Sequence, residues 1–141
     1  MNLKNTIQIS LKAAEEAIAN GEFADAIALY QQVMEYQSIE HLPIDDALFW
    51  KLGLAHLLHG NEAMAQEIWF GAIADLPADE ALNRLADLQQ LLLETGEQQL
   101  RQHRFEAAEL AYRQSLELDE SAVALADLGR AIANKDAMRK R

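Results

Sequence analysis

The stretch from residue 48 to residue 70, LFWKLGLAHLLHGNEAMAQEIWF, decides the fold of this chain. Apolar residues recur in it at helical spacing, and the single glycine Gly60 separates two such segments. Helices joined by so short a turn are antiparallel neighbours, so the stretch predicts a helical hairpin. Gly53 lies inside the first helix, where glycine costs about 1 kcal/mol against alanine. Its presence there indicates a helix crossing too close for a methyl group.

The same pattern of small and aromatic residues occurs three times along the chain. In each second helix an alanine precedes an aromatic residue by four positions, in the pairs Ala26 and Tyr30, Ala65 and Trp69, and Ala108 and Tyr112. Short turns and the prolines Pro43 and Pro77 separate the apolar segments. The periodicity predicts helices near 3–20, 22–37, 45–59, 61–75, 78–102, 104–118 and 121–138.

The middle hairpin resembles the tetratricopeptide repeat. The residues that match the repeat pattern at its separations are Phe49, Leu52, Gly53, Ala65, Trp69 and Pro77. The first hairpin has Ala13 and Ala14 where the pattern has Leu-Gly, and the third has His103 in place of the turn glycine. The resemblance implies an all-α fold of three antiparallel hairpins, near 3–37, 45–77 and 78–118, stacked as a right-handed α-solenoid in one domain spanning 1–141.

The segment 121–138 is predicted to be a helix that caps the stack and completes the array. Its apolar side consists of Leu125, Leu128 and Ile132, and its polar side of Asp127, Arg130, Asn134 and Lys135. The basic residues at the end of the chain suit a helix terminus, where cations complement the helix dipole.

The charge of the chain limits its classes of partner. Acidic residues outnumber basic residues by 23 to 12, which gives a formal charge of −11. Such a charge repels nucleic acid and anionic membrane surfaces. No apolar run reaches the roughly 18 residues of a membrane span, and the opening MNLKNTIQIS is not a secretory signal. We expect a soluble, cytoplasmic protein with neither a nucleic-acid nor a membrane partner.

The sequence contains no set of residues that indicates catalysis. It has no cysteine, no glycine-rich phosphate loop, no Gly-x-Ser-x-Gly elbow and no His-Glu-x-x-His motif. None of its four serines lies beside a histidine in a way that suggests a nucleophile and its base. We therefore expect a protein that is not an enzyme and that needs no cofactor.

Two histidines on one helix raise the question of a metal site. His56 and His59 are three residues apart and share a face, and Glu62 could act as a third ligand to zinc or copper. Alternatively, His56 occupies a position where the repeat has a packed aromatic residue, and His59 lies at a helix end that favours a cation. We favour the second interpretation and expect no metal.

The resemblance implies that the first helices of successive hairpins line a concave groove that binds a protein or peptide. The groove positions that it implies are mostly aliphatic, and they are Gln8, Leu11, Glu15, Ile18, Ala47, Trp50, Leu54, Leu57, Leu58, Gln90, Leu93, Glu97, Leu100 and Arg101. Leu11 and Glu15 replace residues of the clamp that the family uses for C-terminal carboxylates, so an apolar or basic segment is the expected ligand. Because Trp50 is placed in the groove, the Trp50→Ala variant is expected to lose binding but little stability.

Three functions are compatible with these features of the sequence. The first is an adaptor or scaffold for protein interactions. The second is an accessory domain of a larger protein, because residues 48–69 are also similar to repeats that precede glycosyltransferase or methyltransferase domains. The third is a homo-oligomerisation module, in which the apolar groove joins two copies of the chain. As an alternative to any binding role, Leu54 and Leu57 pack against neighbouring helices or against a second copy.

Overall fold

A computed structural model of the chain describes residues 2–118 and 122–139, apart from the side chains of residue 3 and of residues 122–130. These residues form seven α-helices and no strand, namely α1 (Leu3–Ala19), α2 (Phe23–Ile39), α3 (Asp46–Leu58), α4 (Glu62–Ile73), α5 (Ala78–Arg101), α6 (Phe105–Leu118) and α7 (Ala122–Arg139). Every helix begins and ends within two residues of its predicted bounds, so the all-α prediction is confirmed. Over the described residues, no helix is long and apolar enough to cross a membrane.

The helices divide into two compact units, which we call unit 1 (Met1–Asp75) and unit 2 (Leu76–Arg141). In unit 1, α1 packs on α2, α2 on α3 and α3 on α4; in unit 2, α5 packs on α6 and α6 on α7. Packing between successive helices is consistent with a helical repeat. Leu125 and Leu128, predicted for the apolar side of α7, lie outside the residues whose side chains are described, and Ile132 is exposed.

Four of the helices end in the same kind of turn. The residue after the cap has a positive φ in each, with values of 79° at Gly21, 56° at His41, 95° at Gly60 and 61° at His103. After α3, for example, the N–H of Gly60 donates to the carbonyl of Leu57 at 2.9 Å. This is the Schellman arrangement, in which a left-handed residue lets the chain satisfy the last carbonyls of a helix. The turn predicted at Gly60 is confirmed, Gly21 makes the same turn after α1, and His103 adopts the conformation of the glycine that it replaces.

The histidine at the end of α2 gives a testable consequence of this turn. We expect His41→Gly to raise the free energy of unfolding by about 0.5–1 kcal/mol, because a side chain in the left-handed region costs about 1–2 kcal/mol and glycine recovers part of it. His41 is exposed, so its removal disturbs no core contact. Urea denaturation monitored by circular dichroism measures the change. The reverse kind of substitution, Gly60→His, should lower the free energy of unfolding. A change in the same direction for both variants would contradict this explanation.

A glycine in the first helix of two of the hairpins lies against an aromatic residue in the second. A Cβ added at Gly53 would overlap the Trp69 indole, at 2.6 Å from Cδ1 and 2.7 Å from Cε2. A Cβ added at Gly96 would lie 2.6 Å from Cε1 of Tyr112. Both pairs are sixteen residues apart, as are the buried residues Ala14 and Tyr30. The close crossing predicted at Gly53 is therefore confirmed, and an aromatic ring fills the space that the side chain would need.

Candidate partner-binding surfaces

The predicted groove is not open along its apolar part. Five of its residues are at most 6% exposed, namely Ile18, Trp50, Leu54, Leu57 and Leu58. No partner can contact these side chains while the chain keeps this fold. The expectation that they form an accessible apolar wall, with Trp50 at its centre, is therefore wrong.

The physical reason lies in the composition of α3. Eight of its thirteen residues are buried, and they are Leu48, Trp50, Leu52, Gly53, Leu54, Ala55, Leu57 and Leu58. These residues occupy all sides of the helix, and a helix that is apolar all round is stable only when it is enclosed. The Nε1 of Trp69 also donates a buried hydrogen bond of 3.1 Å to the backbone carbonyl of Trp50, which fixes α3 to α4. Trp50 thus belongs to the core.

The accessible part of the predicted groove in unit 1 is polar. Gln8, Glu15 and Ala47 are exposed, and Leu11 is half-buried. Lys51 on α3 forms an ion pair of 2.9 Å with Glu15 on α1, so the side chains of the two first helices meet at this point. Burial raises the pKa of Tyr30, and the nearby Glu15 carboxylate raises it further. The phenol is therefore neutral, and the surface above it is hydrophilic.

In unit 2 the predicted residues lie along α5 and divide by polarity. Leu93 and Leu100 are half-buried and pack against the buried cluster of Ala108, Tyr112 and Ala131. The polar residues Gln90, Glu97 and Arg101 are exposed. Arg101 forms an ion pair of 3.6 Å with Glu97, one turn away on the same helix. The one predicted groove cation is thus partly neutralised by its own helix.

An ion-pair network joins α6 to α7. The Glu109 carboxylate accepts hydrogen bonds from Lys135 at 2.7 Å and from Arg113 at 2.6 Å. The Nη2 of Arg139 lies 3.6 Å from Oε1 of Glu106, which is one turn before Glu109 on α6. The hydrogen bond from Lys135 is the main cause of a lowered pKa at Glu109. These contacts hold the last helix against α6 beside the buried Ala131.

We expect Glu109→Gln to lower the free energy of unfolding at pH 7 by about 0.5–1 kcal/mol, because both ion pairs are lost. The folded pKa lies below the unfolded value of about 4.3, so the stabilisation is present above that value and is lost as the pH falls through the folded pKa. The difference between wild type and variant should therefore vanish in acid. Denaturant titrations from pH 7 to pH 3 measure it. Glu117→Gln, an exposed change on the same helix, is the control, and equal losses for the two variants would contradict the pairing.

The histidines show no arrangement suited to a metal. Burial lowers the pKa of His56, and the nearby His59 lowers it further, so the imidazole of His56 is neutral at pH 7. His59 is the C-cap of α3, as predicted. Within residues 2–118 and 122–139, no three His, Cys, Asp or Glu side chains lie close enough together to hold a metal ion.

An exposed apolar surface on α4 was not predicted from the sequence. Phe70 is 48% exposed and Met64 is 38% exposed, whereas the neighbouring Trp69 is buried. Adjacent positions on a helix point about 100° apart, so two consecutive aromatic residues cannot both face the same neighbour. The dipeptide Trp69-Phe70 was therefore the signal for an outward-facing ring.

No protein-family model matches the chain, and a search of the curated proteins gives no match. The resemblance to the tetratricopeptide repeat therefore remains a prediction from the residues of this sequence.

Proposed function

We propose that the chain is a scaffold of the tetratricopeptide type, a right-handed α-solenoid that binds a segment of another protein and catalyses no reaction. The recurrence of one packing unit supports this proposal, because Gly53 meets Trp69 in unit 1 in the way that Gly96 meets Tyr112 in unit 2. Hairpins built alike place their first helices alike. The ion pair between Glu15 and Lys51 supports such a placement for α1 and α3.

The binding surface that we propose in unit 1 is defined by Gln8, Leu11, Glu15 and Ala47, of which Gln8 and Glu15 are polar. The buried residues Trp50, Leu54 and Leu57 are not part of this surface and do not touch the partner. Unit 1 contains eleven acidic and three basic residues, a formal charge of −8. A basic segment of the partner would be attracted by this charge, which also speeds association. The proposed ligand is therefore a basic, polar stretch of protein.

Site-specific photo-cross-linking tests this proposal. A benzophenone amino acid is placed at the exposed Ala47 of α3 in the source cell, and at the exposed Ala28 of α2 as a matched control. We expect one dominant cross-linked protein from position 47 that is absent from position 28. The purified partner should then bind the Ala47→Lys variant about tenfold more weakly and the Ala28→Lys variant unchanged. Equal labelling from both positions, or adducts of the chain with itself alone, would contradict the proposed function.

A further inference from the structure

The outer side of α4 and its C-cap forms an exposed stripe that includes no residue of the surface proposed above. We call it the α4 face, and it consists of Ala63, Met64, Glu67, Phe70, Gly71 and Ala74. Its axis follows positions 63, 67, 70 and 74, which recur at the spacing of one helix face. With Phe70 and Met64 among the exposed large apolar residues of the described chain, the stripe is apolar except for one carboxylate near its middle.

The shape of the α4 face suits a second helix. From residue 63 to residue 74 the stripe is about 16 Å long, or three helical turns. A Cβ placed at Gly71 would meet no heavy atom of a non-neighbouring residue within 4 Å, so the space outside the helix is open at Gly71. Small residues such as Ala63, Gly71 and Ala74 let the axis of a packed helix approach closely, while Phe70 and Met64 form the ridge that it contacts.

The charged residues on and beside the α4 face determine which kind of helix can bind to it. The chain has no lysine or arginine between Lys51 and Arg84, and Glu62, Glu67 and Asp75 lie on or beside the face. Glu67 forms no ion pair with any described residue. A second copy of the chain would bring the same carboxylates together, and like charges across an interface are strongly disfavoured. A cationic partner would neutralise them.

We propose that the α4 face docks a cationic amphipathic helix of another protein. The apolar side of that helix packs on Phe70 and Met64, and a lysine or arginine beside it pairs with Glu67. This is the helix-in-groove mode of recognition, in which one apolar stripe provides the anchors and flanking charges fix the register. The proposal does not depend on the surface of α1 and α3.

A synthetic helix of leucine and lysine, labelled with fluorescein, serves as the probe, and the same helix with glutamate for lysine is the control probe. We expect the lysine probe to bind the whole chain and the glutamate probe not to bind. Phe70→Ala should weaken binding of the lysine probe about tenfold, as truncation of an aromatic anchor does. Ile9→Ala removes an apolar residue of α1 that is even more exposed than Phe70, and it should change the affinity for the lysine probe less than about twofold. Fluorescence anisotropy measures the affinity.

A pair of charge reversals separates docking from general attraction to an acidic protein. Glu67→Lys should lower the affinity for the lysine probe about tenfold. Glu35→Lys makes the same change on the exposed side of α2 and should change that affinity less than about threefold. Equal effects of the two reversals, or of Phe70→Ala and Ile9→Ala, would overturn the proposal. A dimer in sedimentation equilibrium that Phe70→Ala dissociates would also overturn it, because the face would then bind a second copy.

Discussion

Replacement of Trp50 by alanine is expected to lower the free energy of unfolding by about 3–5 kcal/mol, the range for a buried aromatic residue. Trp50 is 3% exposed and lies on a helix of which eight of the thirteen residues are buried. The substitution leaves a cavity that a neighbouring helix cannot fill without losing its own contacts. Urea denaturation followed by far-ultraviolet circular dichroism measures the loss.

Two further variants make this result decisive. Trp69→Ala should cost a similar amount, because Trp69 is buried and also donates its indole hydrogen bond to the backbone of Trp50. Phe70→Ala, next to Trp69 but exposed, should change the free energy of unfolding by no more than about 0.5 kcal/mol. If Trp50→Ala lowered the free energy of unfolding as little as Phe70→Ala, Trp50 would not be enclosed and the apolar groove would be open.

Addition of one methyl group at Gly53 is expected to lower the free energy of unfolding by about 1–3 kcal/mol, although alanine is the better helix former. The methyl group would occupy space that the indole of Trp69 already fills. The ring must move or the two helices must separate, and either change disturbs a close-packed core. Thermal and urea denaturation of Gly53→Ala report the loss.

Gly71→Ala is the control, and it is expected to change the free energy of unfolding in the opposite direction. Gly71 also lies in a helix interior, but a methyl group there meets nothing, so the substitution should raise the free energy of unfolding by about 0.5–1 kcal/mol. In addition, combining Gly53→Ala with Trp69→Leu should cost less than the two single changes added together, because the smaller side chain leaves room for the methyl group. Stabilisation by Gly53→Ala would show that the contact with Trp69 is not tight.

The helices and their turns could be predicted because their signals are local. Gly21 and Gly60 supply the left-handed conformation that a helix end requires, and Asp45 caps α3 through a hydrogen bond to the N–H of Ala47. The close crossing at Gly53 could also be predicted, because glycine is otherwise unfavourable inside a helix, but the contact of Gly53 with the Trp69 ring became visible only in the structure. His103 shows the limit of such signals, because histidine adopts the same turn conformation that the sequence alone associates with glycine.

The accessibility of the groove could not be predicted in the same way. The repeat pattern assigned Trp50 and Leu54 to the concave side, but exposure depends on everything that packs around a helix, which no spacing of residues records. One compositional signal was present. Between Leu48 and Leu58 the only polar side chains are Lys51 and His56, so α3 has no polar side to present to solvent.

The left-handed turns between the helices also affect how the chain is made. Each is completed by hydrogen bonds that join residues no more than five positions apart, so a turn forms without waiting for distant parts of the chain. Proteins dominated by such local contacts fold in microseconds to milliseconds, and folding in a repeat can begin at any unit and spread. The first hairpin, residues 3–39, can therefore close while the ribosome is still synthesising the rest of the protein.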